Sequence, residues 1–133
     1  MLDHKHLIAK GKLQHKLSVE DVTNIINKLV TALGMKYVEA MPINPSVGYE
    51  PNEHPGVSGV GIITTSHIVV HTWDNTLDYQ LDVYSCKSFK KEDVDLVLSS
   101  YGLIESSAKL FNRSYKIEQL WQKEKDQVKE QQL

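Results

Sequence analysis

The chain has 133 residues, of which 41% are hydrophobic and 24% are charged, as is typical of a globular protein. A single domain of this length buries a sizeable core without disulfides or bound metal. The formal net charge of −2 argues against nucleic acid or a membrane surface as a partner, because both select basic proteins. The sequence also lacks an apolar run long enough to span a bilayer. We therefore expect neither kind of partner.

Cys86 is the single cysteine of the chain, so no disulfide forms within it. A lone thiol is typical of proteins from a reducing compartment, where it is either part of the core or chemically active. The first residues also lack the apolar core of a signal peptide. These two features predict a cytoplasmic protein.

The first predicted elements are a short strand at His6–Lys12 and an amphipathic helix. Ser18 is a good N-cap for this helix, and Gly34 is a favourable stop. Glu20 and Asp21 lie in the first turn, where they favour the positive end of the helix dipole. The apolar residues between the two ends recur at a spacing of three and four: Val19, Val22, Ile25, Ile26, Leu29, Val30 and Leu33. One apolar face predicts a helix that lies on a sheet.

The middle of the chain has the pattern of strands separated by turns. Tyr37–Ile43 is the second predicted strand of the chain. Residues 44–56 are predicted to be a loop, because they hold three prolines and two glycines. Three further strands are expected at Val57–Ile63, His67–Trp73 and Tyr79–Cys86.

A second helix and a last strand complete the pattern. Ser88 is a candidate N-cap for a helix that runs through Tyr101 and ends at Gly102. Ala108–Tyr115 has the composition of a strand.

The predicted elements form one domain over residues 1–117, followed by a polar tail over residues 118–133. Their order is strand, helix, four strands, helix and strand. This order favours the α+β class, with a largely antiparallel sheet and helices on one face. Because the other face of such a sheet needs cover, we expect a dimer.

The stretch Gly56–Trp73 is apolar except for hydroxyl and imidazole side chains, which cost free energy in a core unless they find partners. If Thr64 and Thr65 form a two-residue hairpin turn, Ser58 faces His71. Cross-strand neighbours have Cβ atoms roughly 4.5–5.5 Å apart, so this couple is within reach of a hydrogen bond.

A second polar couple follows from the next hairpin. If Asp74–Asp78 is a five-residue loop, Ser66 faces Cys86. The two couples are five positions apart on the shared strand, or about 16 Å, and an odd offset directs them to opposite faces. If all four residues act together, the simplest arrangement is two chains packed antiparallel, each contributing one couple.

His67 and His71 are the first candidates for a metal site. On a strand they share a face but lie about 13 Å apart, too far for one ion with bonds of about 2 Å. The addition of His4 and His6 would depend on their tertiary placement, so we predict no metal.

Three motifs, GVSG at 56–59, SHIVVHTW at 66–73 and LDVYSC at 81–86, resemble the signature of the prokaryotic S-adenosylmethionine decarboxylase proenzymes. The segment HLIA near the N-terminus also matches, and the resemblance extends to about Tyr115 without the loop Asn44–Pro55. The family fold is an α/β sandwich formed by a dimer. The resemblance therefore implies a homodimer of processed units with composite active sites.

The resemblance also implies self-cleavage between Thr65 and Ser66. The Oγ atom of Ser66 would attack the carbonyl carbon of Thr65. His71, assisted by Ser58, would then remove the α-proton of Ser66, and the new terminus would become a pyruvoyl group. This group forms a Schiff base with a small-molecule amine and acts as the electron sink, so no external cofactor is expected. Cys86 is the expected proton donor.

The implied activity is decarboxylation of S-adenosylmethionine, which supplies the aminopropyl donor for spermidine, a polyamine. The chain departs from the family pattern, since Thr65 replaces a glutamate and Asp74-Asn75 replace a proline and a glutamate. Tyr49 is the candidate substitute for an aromatic residue that would hold the adenine. The missing carboxylates keep two alternatives open: a pyruvoyl-dependent decarboxylase of ornithine or arginine, and a non-processing relative with a binding or regulatory role.

Overall fold

The structure, a computed structural model, describes residues 3–118. These residues form six strands and two helices. In chain order they are β1 (Lys5–Leu13), α1 (Val19–Ala32), β2 (Ser46–Glu50), β3 (Gly56–Ile63), β4 (Ser66–Trp73), β5 (Asp78–Ser85), α2 (Lys91–Ser100) and β6 (Leu103–Asn112). Apart from Glu118, the predicted polar tail lies outside the described residues.

All six strands belong to one antiparallel sheet with the order β2-β3-β4-β5-β1-β6. β2 to β5 form a meander of consecutive hairpins, and β1 is inserted between β5 and β6. Both helices contact the sheet and each other. The prediction of the α+β class, with a largely antiparallel sheet, is confirmed.

α1 begins and ends where its local sequence predicts. The Ser18 side chain accepts a hydrogen bond from the Asp21 N–H, and the Asp21 carboxylate accepts one from the Ser18 N–H. This capping box satisfies two N–H groups of the first turn. Gly34 follows the helix with φ of +64°, a left-handed conformation that favours glycine. The residues that α1 buries are Val22, Ile25, Ile26, Leu29 and Val30.

The two faces of the sheet differ in burial. Along β4, Ile68 and Val70 are fully buried in the core under the helices, whereas Val69 between them is less buried. On the other, helix-free face, Ile8 and Ile62 are 45% and 37% exposed. This face therefore leaves apolar side chains exposed.

The second predicted strand is wrong in position. Within Tyr37–Ile43, Tyr37 makes an isolated bridge to Ile63, and no strand forms there. The Val38 N–H and the Asn44 side chain both donate to the Ile62 carbonyl, and the Asn44 side chain also accepts from the Ile62 N–H. The edge strand β2 forms later, inside the segment predicted to be a loop.

Two predicted boundaries are also wrong. Lys90, rather than Ser88, is the N-cap of α2, and its side chain makes no capping hydrogen bond. β6 begins at Leu103 rather than at Ala108, directly after Gly102 with φ of +76°. Glu105, Ser106 and Ser107 near the start of β6 are polar and exposed, but the strand pairs with β1 across a bulge. Within residues 3–118, no helix is long and apolar enough to cross a membrane.

Candidate active site

The turn between β3 and β4 has the predicted two residues, Thr64 and Thr65, and brings Ile63 opposite Ser66. Thr65 has φ of +55°, in the left-handed region that a β-branched residue seldom adopts. Such a conformation costs about 1–3 kcal/mol and persists where the surrounding structure enforces it. The peptide link to Ser66 therefore follows a strained residue.

Cys86 lies against this turn. Its backbone N–H donates to Ser66 Oγ at 3.0 Å, so the predicted contact between the two residues is present. The Thr65 hydroxyl lies 2.9 Å from Cys86 Sγ and 2.7 Å from the Thr64 carbonyl oxygen. Hydrogen bonding to Thr65, and next to Ser66, lowers the pKa of the Cys86 thiol below its ordinary value. A thiol with a lowered pKa gives up its proton more readily.

The register that predicted this contact is nevertheless wrong. Trp73 pairs with Asp78, so the loop between β4 and β5 has four residues rather than five. Leu77 adopts φ of +54° in this loop, which closes one residue earlier than expected. Continuing the ladder by one residue brings Ser66 opposite Ser85. Cys86 reaches Ser66 from the position just after β5.

The other couple matches its prediction. Ser58 and His71 pair directly across β3 and β4, and Ser58 Oγ lies 2.8 Å from His71 Nδ1. Both side chains are exposed on the helix-free face. The strand offset between Ser66 and His71 is five residues, or about 16 Å. Within one chain the structure thus forms both couples separately.

A groove of about 600 Å³ runs along the helix-free face. Its polar lining includes His67, His71 and Asp82, and its apolar lining includes Ile8 and Val69. The groove therefore combines apolar surface with a carboxylate and two imidazoles, the mixture typical of sites for small polar molecules.

Two of these groove-side groups belong to a cluster that sequence reasoning missed. Asp82 Oδ1 lies 2.8 Å from His6 Nε2 and 2.9 Å from His67 Nε2. We call these three residues the Asp82 cluster. The alternation of residues along β5 could have placed Asp82 on the face opposite Leu81. Nothing in the sequence, however, indicates that Asp82 lies beside His6.

The Asp82 cluster has the residue types of a metal site, and its three ligand atoms lie within 4.8 Å of one another. Tertiary structure thus joins His67 to His6, while His71 belongs to the Ser58 couple. The absence of a metal stays a prediction.

At the far end of the meander, Tyr49 and Asp74 form a further polar contact. The Tyr49 hydroxyl donates to Asp74 Oδ2 at 2.9 Å, and this bond raises the pKa of the phenol. Asp74 is 6% exposed, and its Oδ1 atom has no hydrogen-bond partner within residues 3–118. These are the residues that stand where the sequence departs from the family pattern.

The comparison with known families decides the relationship. The family model for S-adenosylmethionine decarboxylase matches residues 10–114. The chain belongs to this family. The match includes the strained turn, both polar couples and Cys86, and it confirms the resemblance recognised in the motifs.

Individual relatives in the S-adenosylmethionine decarboxylase family match a shorter stretch. The S-adenosylmethionine decarboxylase proenzymes of Pyrococcus furiosus and Thermococcus gammatolerans are each 46% identical over 48 residues. This match covers 35% of the chain and 34% of each relative, so the chain spans about a third of the length of these relatives. The adenosylmethionine decarboxylase of Aquifex aeolicus superposes with a TM-score of 0.62 at 19% identity, over 87% of this chain and 92% of that one. It shares the fold.

Proposed function

We propose that this chain is a self-processing, pyruvoyl-dependent decarboxylase of S-adenosylmethionine, which supplies the aminopropyl donor for polyamine synthesis. Cleavage occurs between Thr65 and Ser66 within a single domain of residues 1–117. The observation that carries the proposal is the contact of Cys86 with both residues of that link, at a turn where Thr65 is strained. Membership of the family supports the same assignment.

The first step uses the Ser66 hydroxyl. Its oxygen accepts a hydrogen bond from the Cys86 N–H, which leaves the hydroxyl proton available for transfer. The oxygen bonds to the carbonyl carbon of Thr65, the Thr65–Ser66 amide bond breaks, and the hydroxyl proton ends on the Ser66 nitrogen. The product is an ester, and the strain at Thr65 favours the rearrangement because it raises the energy of the starting amide.

The second step needs a base for the α-proton of Ser66. We assign it to His71, with Ser58 hydrogen-bonded to Nδ1. Loss of the α-proton expels the Thr65 carboxylate, and water converts the remaining unsaturated residue into a ketone with release of ammonia. The products are a chain of residues 1–65 and a chain that begins at position 66.

The residues present fit a pyruvoyl group at position 66. Ser66 begins β4, is half-buried, and lies beside Cys86 before cleavage, so a group formed there would have a proton source next to it. When present, a pyruvoyl group supplies the electron sink for decarboxylation of a bound amine. The Cys86 thiol would then return a proton, a role that its lowered pKa favours.

A homodimer completes the site in this proposal. Ser58 and His71 lie about 16 Å along the strand from Ser66, so the couple that serves each cleavage site comes from the partner chain. The exposed Ile8 and Ile62 of the helix-free face support packing of two such faces into a sandwich. A cytoplasmic location stays a prediction from the single cysteine.

Intact mass of the purified protein tests the proposal. We expect two fragments, residues 1–65 and 66–133, with a blocked terminus on the second, and a single full-length mass for the Ser66→Ala variant. A wild-type protein that stays uncleaved would instead favour the alternative of a non-processing relative. That alternative is based on Thr65, which replaces the family glutamate before the cleavage site.

Release of CO₂ from candidate amines tests the substrate. We expect turnover of S-adenosylmethionine by the cleaved protein and none by Ser66→Ala. Turnover of ornithine or arginine alone would replace the substrate but keep the pyruvoyl chemistry. The basis for that alternative is the missing carboxylates at positions 65 and 75.

A further inference from the structure

The Asp82 cluster joins three neighbouring strands beside the proposed cleavage site. β5 lies between β4 and β1, and both His67 and His6 pair opposite Tyr84. Both imidazole rings extend to Asp82, which lies two residues before Tyr84 on β5. The Oδ1 atom of Asp82 accepts a hydrogen bond from each ring. One carboxylate oxygen therefore ties the side chains of β1 and β4 to β5.

Arg113 determines which nitrogen of His6 carries the proton. The guanidinium has donors only, and its Nη1 atom lies 2.9 Å from His6 Nδ1. Nδ1 must therefore offer its lone pair, and the proton of the neutral ring sits on Nε2, where it is donated to Asp82. In this arrangement the three residues of the Asp82 cluster and Arg113 form one hydrogen-bonded network.

The side chain of His67 is anchored one residue after Ser66. β5 and the residue that follows it hold this part of the chain at two points: the Cys86 N–H binds the Ser66 hydroxyl, and Asp82 binds the His67 imidazole. The His67 side chain is 42% exposed, and its ring also packs against those of Tyr84 and His6. The backbone of His67 pairs with Ile62 and Tyr84, and the bond to Asp82 adds a side-chain anchor to a residue whose nitrogen is bonded to the residue that reacts.

We infer that Asp82 is a positioning residue of the active site, which acts through His67 to hold the backbone of residue 66 in its reactive geometry. This inference rests on the proposed function, since it assigns Asp82 to the same cleavage and turnover. The negative charge matters because hydrogen bonds to a carboxylate are roughly twice as strong as those to a neutral amide. His6 and Arg113 in turn hold the carboxylate in place.

The test compares Asp82→Asn with Asp78→Asn. Both residues lie on β5 and point to the same face, each side chain is 38% exposed, and Asp78 binds Lys12. The time course of cleavage is followed by intact mass of precursor made in a cell-free system, and the unfolding temperature of each variant is measured in parallel. We expect cleavage about tenfold slower in Asp82→Asn and unchanged within about twofold in Asp78→Asn.

A second readout separates positioning from general stability. In the protein that has been cleaved, Asp82→Asn should lower kcat by a larger factor than it changes KM, because Asp82 lines the groove but its Oδ1 atom is bonded to His6 and His67. Cleavage of Asp82→Asn at the wild-type rate, or equal slowing by Asp78→Asn, would overturn the inference. If the wild type itself stays uncleaved, the proposed function fails first and the inference falls with it.

A pair of substitutions at position 67 covers the case in which Asp82→Asn does not fold. His67→Gln keeps an N–H donor near Asp82, whereas His67→Ala removes it. We expect cleavage by His67→Gln to be closer to the wild-type rate than cleavage by His67→Ala. Equal rates for the two variants would contradict the positioning role.

Discussion

The two ends of the β3–β4–β5 meander differ in what their polar contacts join, although each contains a departure from the family pattern, Thr65 at one end and Asp74 at the other. At the turn of β3 and β4, Cys86 contacts the link between Thr65 and Ser66, as the motifs imply. At the opposite end, the residues that depart from the pattern, Tyr49 and Asp74, bind each other. In the proposed mechanism, the link that reacts and the groups expected to recognise a substrate therefore lie at opposite ends of the meander.

Ser66→Ala gives the largest expected effect at the reaction end. Removal of the hydroxyl leaves no nucleophile, so cleavage should stop entirely. Intact mass should show one full-length chain. An unfolding temperature close to that of freshly made wild-type precursor, before it is cleaved, would show that the fold persists. Fragments at the same link in this variant would exclude Ser66 as the nucleophile.

His71→Ala should stop the reaction one step later. The ester can still form, but its α-proton then lacks a base. We expect full-length protein that hydroxylamine cleaves between residues 65 and 66. The matched control is Ser66→Ala, which should resist hydroxylamine because it forms no ester. Normal processing of His71→Ala would assign the base elsewhere.

Cys86→Ala should separate cleavage from turnover. The backbone N–H that holds Ser66 remains, so cleavage should continue, although more slowly. Turnover should fall about a hundredfold, the lower range for loss of a proton-transfer group. The kcat of the cleaved variant, measured by CO₂ release, checks this expectation. A kcat equal to that of the wild type would remove the thiol from the mechanism.

A change at the recognition end should act differently. Tyr49→Phe removes the hydrogen bond to Asp74 and keeps the ring, so the carboxylate becomes less constrained. We expect KM to rise by about threefold, with kcat and the rate of cleavage unchanged. Slower cleavage in this variant would show that the two ends are coupled.

The smallest expected effect concerns the proton affinity of Cys86. Hydrogen bonding to Thr65 is the largest cause of the lowered pKa of the thiol. A lowered pKa means that the protonated donor is lost at lower pH, so Thr65→Val should move that loss to higher pH. The pH dependence of alkylation of the single thiol in uncleaved Ser66→Ala protein, with and without Thr65→Val, measures the shift. An unchanged profile would contradict the assigned cause.

Sequence alone predicted the parts that depend on near neighbours. The capping box of Ser18 and Asp21 acts across three residues, and the two-residue turn at Thr64 and Thr65 sets the pairing of Ser58 with His71. The motifs around these residues also identified the family. Such features follow from the sequence because the interacting groups are close along the chain.

Tertiary structure decided the rest. Closure of the loop at Leu77 shifted the β4–β5 register by one residue, and the expected second strand is reduced to the bridge of Tyr37 to Ile63. The Asp82 cluster unites residues 76 positions apart in sequence, His6 and Asp82. These contacts depend on which strands become neighbours in the sheet, and that choice is made by burial of the whole core and not by any local stretch.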